Sequence, residues 1–310
     1  MLAPIEDIFC EIDDFCKDYY QKQSEYLLLN PSRKRNRKYR LSHSEIITIE
    51  VLFHLSHYRT FKDYYLECVI PHFKTYFPAL VSYNRFVELK SLIVPMLASY
   101  MNYKSGTKTG IYYIDSTTLK VCRNQRISRH KVFKGIAQRA KSSMGWFYGF
   151  KLHLVINHQG ELISSCLSSG NVDDRKPMLD LFKNLKGAAC CDRGYIAKNI
   201  AHDLLQQGLN FITKTKANMK KIIRSNFEKY LLSQRSVVET VIDQLKSICF
   251  IEHSRHRKPD NFLCNTLSAL IAYTLKPRKP SINQRFLHNN IINLMSNSGY
   301  FSFFLIRNSG

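Results

Sequence analysis

The stretch from Trp146 to Gly170 leaves the chain little local choice. In WFYGFKLHLVIN, Tyr148, Phe150, Leu152, Leu154 and Ile156 alternate with Gly149, Lys151, His153 and Val155. That period of two puts one row of side chains on each face of a strand. The turn residues Asn157-His158-Gln159-Gly160 interrupt the run and ELISSCLSSG follows, an order that predicts a β-hairpin. Before it, IYYID (111–115) reads as a buried strand ending on a carboxylate. After it come a helix near 175–184, the short apolar run AACC closing on Asp192, a helix near 196–207, the strand NFITKT, and helices near 235–250 and 260–275. Antiparallel strands followed by strands alternating with helices predict a mixed α/β sheet covered by helices.

Residues 1–105 lack alternation of this kind. Ile5, Ile8, Phe9, Ile12, Phe15 and Tyr19 recur at helical spacing. Ser42-His43-Ser44-Glu45 resembles a capping box ahead of IITIEVLFHLS. Further helical patterns cover about 60–69 and 83–100, with FPALVSYNRF connecting them. The expectation is an all-helical N-terminal domain over 1–105, DNA-binding or a plain scaffold. KSGTKTG (104–110) marks the boundary, a catalytic domain fills 106–280, and a tail occupies 281–310.

Charge narrows the partner. The chain of 310 residues carries 46 Lys and Arg against 24 Asp and Glu, a formal charge of +22, which points to a polyanion. The excess is uneven. Residues 1–30 hold seven acids against Lys17 and Lys22, RKRNRKYR (33–40) has six basic residues of eight, and Ser116–Lys141 has eight Lys or Arg and no acid. Without an apolar run of about 18 residues, or a basic start resembling a signal peptide, a membrane location is not expected. The cytoplasm is. Nine cysteines without a CxxC or a Cys/His ladder argue against a zinc finger and a disulfide framework. HSRHRK (253–258) reads as a phosphate-facing basic loop rather than a ligand set.

Three acids stand out by position. In AACCDRGY (188–195) four small residues lead to Asp192 at the C-terminal lip of a strand, where ligands of open α/β sheets bind. The alternative is a turn in which Asp192 caps the next helix. Asp115 closes the strand IYYID. In SQRSVVETVIDQLKSICF (233–250), Val237, Val238, Val241, Leu245 and Ile248 fill one helical face, and Arg235, Glu239 and Lys246 lie together on its flank. A solvated i,i+4 Arg–Glu pair is the alternative for Glu239. Three carboxylates from two strands and a helix suit Mg²⁺, which takes hard oxygen ligands. Two such ions are a known device for phosphoryl transfer. Arg193, Arg235 and Lys246 would relieve the repulsion and bind phosphates. Asp173 and Asp174 read mainly as N-cap residues, Lys151 and His153 as residues beside the sheet, and Asp243 as a helix-face charge.

IDST (114–117), DRGY (192–195) and the pattern Arg235-x3-Glu239-x6-Lys246 resemble the Asp, Asp and Glu blocks of DDE transposases from bacterial insertion sequences. FCEIDDFC, LSHSEIITIEVLFHLS and VSYNRFVELK, with the YGFKLH strand, are most similar to the insertion sequence 982 family. The resemblance covers about residues 5–280 and leaves the tail, with its YFSFFLI, outside. The tyrosine that many relatives carry shortly before the arginine is Leu232 here.

The resemblance implies an RNase H-like core and a metal-binding catalytic triad of Asp115, Asp192 and Glu239. It further implies two Mg²⁺ ions, with Mn²⁺ as substitute, and double-stranded DNA as partner. Arg193, Arg235, Lys246, Lys120 and Arg123 are the expected phosphate contacts. A homodimer or higher synaptic assembly, in the nucleoid of a bacterial cytoplasm, goes with it. The activity implied is metal-dependent cleavage at transposon ends, then attack of the freed 3′-hydroxyl on target DNA, with no covalent enzyme intermediate. A structure-specific nuclease of the same fold, a DNA-binding regulator and a decayed copy that only binds DNA are the alternatives. A decayed copy tends to lose an acid of the triad, and none is lost here.

Overall fold

A computed structural model describes residues 4–28, 40–195, 197–214, 224–252 and 256–282. Most of the RKRNRKYR run, His253 and the tail from 283 lie outside the described residues. The first part of the chain is helical: α1 (Ile5–Leu28), α2 (His43–Phe53), α3 (Phe61–Tyr64), α4 (Ile70–His72), α5 (Tyr83–Leu89) and α6 (Val94–Tyr103). The capping box exists as read. Ser42 accepts from the Glu45 backbone N–H at 3.1 Å, and the Glu45 carboxylate accepts from the Ser42 N–H at 2.6 Å. The run at 60–69 is less regular than its spacing suggests, because Tyr65–Val69 widens into a π-helical turn between α3 and α4.

The second part builds a six-stranded sheet from β1 (Ile111–Cys122), β2 (Gln138–Ser142), β3 (Gly145–Asn157), β4 (Leu162–Ser169), β5 (Gly187–Cys191) and β6 (Leu209–Thr213). The strands run β2-β3-β1-β5-β6, with β4 also on β3. β1, β3 and β4 are antiparallel neighbours, whereas β5 and β6 join parallel. The β3–β4 hairpin turns at the expected residues. Gly160 there has φ +74, and a Cβ would lie 2.0 Å from the Pro280 carbonyl oxygen, so the turn admits only glycine.

The helices of this part are α7 (Met178–Leu181), α8 (Lys198–Gln206), α9 (Asn226–Ser233), α10 (Ser236–Ser247) and α11 (Pro259–Thr274). Tyr112, Ile114, Ala189 and Cys191 pack on one side of the sheet with Met178, Phe182 and Leu204 from α7 and α8. Ile111, Tyr113 and Cys190 face the other side, in one apolar cluster with Val237, Val238 and Val241 of α10. That cluster continues through α11 into the N-terminal helices. His54 of the first helical segment reaches the Cys249 carbonyl at 2.6 Å. Among the described residues no helix is long and apolar enough to cross a membrane.

Candidate active site

Asp115 does not close its strand. β1 continues seven residues further to Cys122, because Ser116–Cys122 stays hydrogen-bonded to β3 after the partner on the other side has ended. On that other side the parallel ladder pairs Ile111 with Ala188 and Tyr113 with Cys190. Asp115 and Asp192 each stand two residues past that last pair, so they sit side by side at the end of β5. Both lie on the face that carries α10, since side chains two apart share a face. The valine seam of α10 is buried against β1, and Glu239 in its first turn emerges beside it.

The three carboxylates meet on one guanidinium. Arg235 Nη2 lies 3.4 Å from Asp115 Oδ2 and 3.0 Å from Glu239 Oε1, and Nη1 lies 3.0 Å from Asp192 Oδ1. Asp115 also accepts from the Ser116 backbone N–H at 2.8 Å. Burial raises the Asp115 carboxyl above its ordinary range. The Ser116 N–H and Arg235 pull it down, while Glu239 and Asp192 push it further up, and the rise prevails.

The flanking groups distribute differently from the expectation. Lys246 turns away from the acids to Glu252, at 3.4 Å, because it lies two turns further along α10. Glu252 also accepts from the Lys120 backbone N–H at 3.5 Å. Arg193, Lys120 and Arg123 are exposed and make no ion pair among the described residues. Asp192 stands before a 3-10 turn, Arg193–Tyr195, where its backbone carbonyl accepts from the Tyr195 N–H at 3.1 Å, and it does not cap α8, which follows Ala197 without a side-chain cap. Gly194 lies outside the left-handed region and has open space where a Cβ would point, so the turn there makes no demand for glycine.

Asp173 pairs with Arg175, and Lys151 with Asp174 at 2.8 Å. Asp243 is exposed and its carbonyl accepts from Ser247. His153, expected beside the sheet, is wholly buried and bonded to Ser168 at 2.8 Å. Burial lowers its pKa to about 4. One neighbour of the site had no role in the sequence reading. Tyr195 is buried next to the acids, and burial, with Asp115 and Asp174 nearby, pushes its hydroxyl well up. It stands in the DRGY block, but aromatic type alone gives no role.

Among the described residues no group of three or more His, Cys, Asp and Glu side chains is arranged to hold a metal ion. The acids converge on Arg235 instead, and a guanidinium stands between them where a cation of another kind would be held. Their donor chemistry, carboxylate oxygen alone, is that of a hard divalent ion. The fit therefore requires the Arg235 side chain to withdraw from between them.

Residues 105–259, half of the chain, match the family described as "Transposase DDE domain", and the chain belongs to that family. No curated protein sequence matches it. Among solved structures it is similar to the chain in "Cryo-EM structure of piggyBac transposase synaptic complex with hairpin DNA", at 11% identity and a TM-score of 0.44, over 90% of this chain and 78% of that one.

Proposed function

We propose that the protein is a transposase in which Asp115, Asp192 and Glu239 form the catalytic triad, acting on double-stranded DNA at transposon ends and then on target DNA. The observation that carries this reading is the convergence of the three acids, from two neighbouring strands and the first turn of α10, on a single cation. Membership in the DDE family supports the same assignment. The strand arrangement, three antiparallel strands extended by two parallel ones, supports an RNase H-like core.

The three carboxylates would hold divalent metal, Mg²⁺ or Mn²⁺, and two such ions would supply Lewis-acid stabilisation of the phosphoryl charge and activation of the attacking oxygen. Asp115, fixed by the Ser116 N–H and the β-ladder, provides the rigid ligand. Asp192 and Glu239, more than half exposed, stand on the solvent side where a phosphodiester enters. Arg235 leaves the acids for the phosphate, whose planar pairing with a guanidinium is bidentate. Arg193, Lys120, Arg123 and Lys246 extend a positive surface for the DNA backbone. The insertion sequence 982 likeness, a bacterial cytoplasmic setting, a helical DNA-binding role for residues 1–105 and a synaptic dimer belong to the same reading.

A nuclease of the same fold is separated by joining. Purified protein incubated with Mg²⁺, end-bearing duplex and a supercoiled target should yield covalently joined products. Cleavage without joining would favour the nuclease, and binding without either would favour a decayed copy.

A further inference from the structure

A second site lies where the N-terminal helices meet the start of α11, at residues other than the three acids. A cleft of about 440 Å³ opens between α3, α5 and the start of α11, within the range of small-ligand sites, about 300–1,000 Å³. Its floor is Lys90, buried and spoken for. Lys90 Nζ lies 2.9 Å from Glu50, itself fully buried, and 4.1 Å from the centre of the Phe61 ring. The pair makes the floor neutral, so any anion drawn here answers to the rim.

At the rim stand Lys62 and Arg257, both exposed and without an ion pair among the described residues. Between rim and floor is Asn261, only 6% exposed, whose Nδ2 reaches the Val87 carbonyl at 3.4 Å while its Oδ1 has no hydrogen-bond partner. Turning the amide over would leave a donor stranded there instead of an acceptor. A buried amide with half its capacity unspent costs free energy unless a ligand completes it. Tyr83, half-buried on the same wall, packs its ring against Phe61 and Tyr65 and keeps part of it exposed.

An unspent amide acceptor, a half-buried aromatic ring and two cations without an ion pair among the described residues are separate demands. A metal ion answers none of them well, and inorganic phosphate answers only the cations. We infer that this cleft takes one unstacked deoxynucleotide of bound DNA, its base against Tyr83 and Asn261 and its phosphate at Lys62 and Arg257. The amino or imino N–H edge of a base supplies the donor Asn261 lacks once the amide, sealed from solvent in this structure, turns outward. Base–aromatic stacking requires no particular base. The inference rests on the DNA reading for the identity of the ligand alone, because the demands of the cleft come from its own residues.

The test is calorimetric titration of full-length protein in EDTA with dAMP, and separately with deoxyribose 5-phosphate and inorganic phosphate. dAMP should bind about tenfold or more tighter than deoxyribose 5-phosphate. Arg257→Ala, a surface change, should weaken dAMP about tenfold. Tyr83→Ala should remove most of the preference for dAMP over the sugar phosphate. Equal affinity for dAMP and deoxyribose 5-phosphate would overturn the inference, as would dAMP binding unaltered in both variants, which would locate it elsewhere. Because no divalent metal is present, failure here leaves the joining assay untouched, and loss of joining leaves this titration untouched.

Discussion

Arg235 is the only cation that the three acids share among the described ion pairs, and replacing it by methionine isolates what it does. Arg235→Met retains length and helix propensity but removes the charge. The contacts to Asp192 and Glu239 are exposed on the carboxylate side, at 55% and 59%, and each is worth about 0.2–1 kcal/mol. Asp115, at 21% exposure, loses more, since it stays among like charges that nothing neutralises. The charge-assisted contact it loses, at 3.4 Å and partly buried, is worth about 1.5 kcal/mol. The variant should therefore be about 2–3 kcal/mol less stable in EDTA. Urea unfolding gives this directly, as a lower midpoint at constant slope. Mg²⁺ should then stabilise Arg235→Met more than the unchanged protein, because the ion no longer competes with a guanidinium. Equal stabilisation of both, or no loss of stability in EDTA, would refute the view of Arg235 as the internal counter-ion of a metal-binding triad.

Two further outcomes follow from buried groups elsewhere. Lys90→Met strands Glu50 in the core and should cost about 3–5 kcal/mol, with Glu50→Gln added to it recovering a large part, both read by urea unfolding. His153 is held neutral by burial, with its pKa lowered from 6.5 to about 4, so the unfolded chain takes up its proton first as pH falls. The stability it contributes is present above pH 6.5 and declines by about 1.4 kcal/mol per unit towards pH 4. His153→Gln, measured over that window, should show a shallower decline.

What could be read from the sequence depended on whether a side-chain pattern reported on local or distant partners. The β3–β4 hairpin was legible because alternation and turn residues are local, and the α10 face because its valines repeat at helical spacing. The strand-lip position of Asp192 followed from the apolar run before it. The extension of β1 past Asp115 did not, since Ser116, Thr117 and Thr118 are half-exposed and carry no apolar row. β2 was invisible for the same reason: Gln138–Ser142 is held by pairing to β3, with every side chain exposed or half-exposed. α9 was missed although Ser225 and Glu228 form a capping box, a signal that short length hid. α7 shrank to one turn ending at Leu181, and Asn184 just beyond it takes a left-handed φ of 59. Arg235 was legible as a flanking base. Its place between all three acids depends on the β1–β5 register, and Lys246 at the same helical angle points to Glu252 instead.

The central claim is that Glu239 completes a catalytic triad, and its direct test is cleavage of transposon-end duplex in Mg²⁺ by Glu239→Gln beside Asp243→Asn, one turn along the same helix. Both keep shape and helix propensity, so folding and end binding should stay near those of the unchanged protein. Cleavage should fall by about a hundredfold or more in Glu239→Gln and persist in Asp243→Asn. Normal cleavage by Glu239→Gln, or a dead Asp243→Asn, would contradict the account.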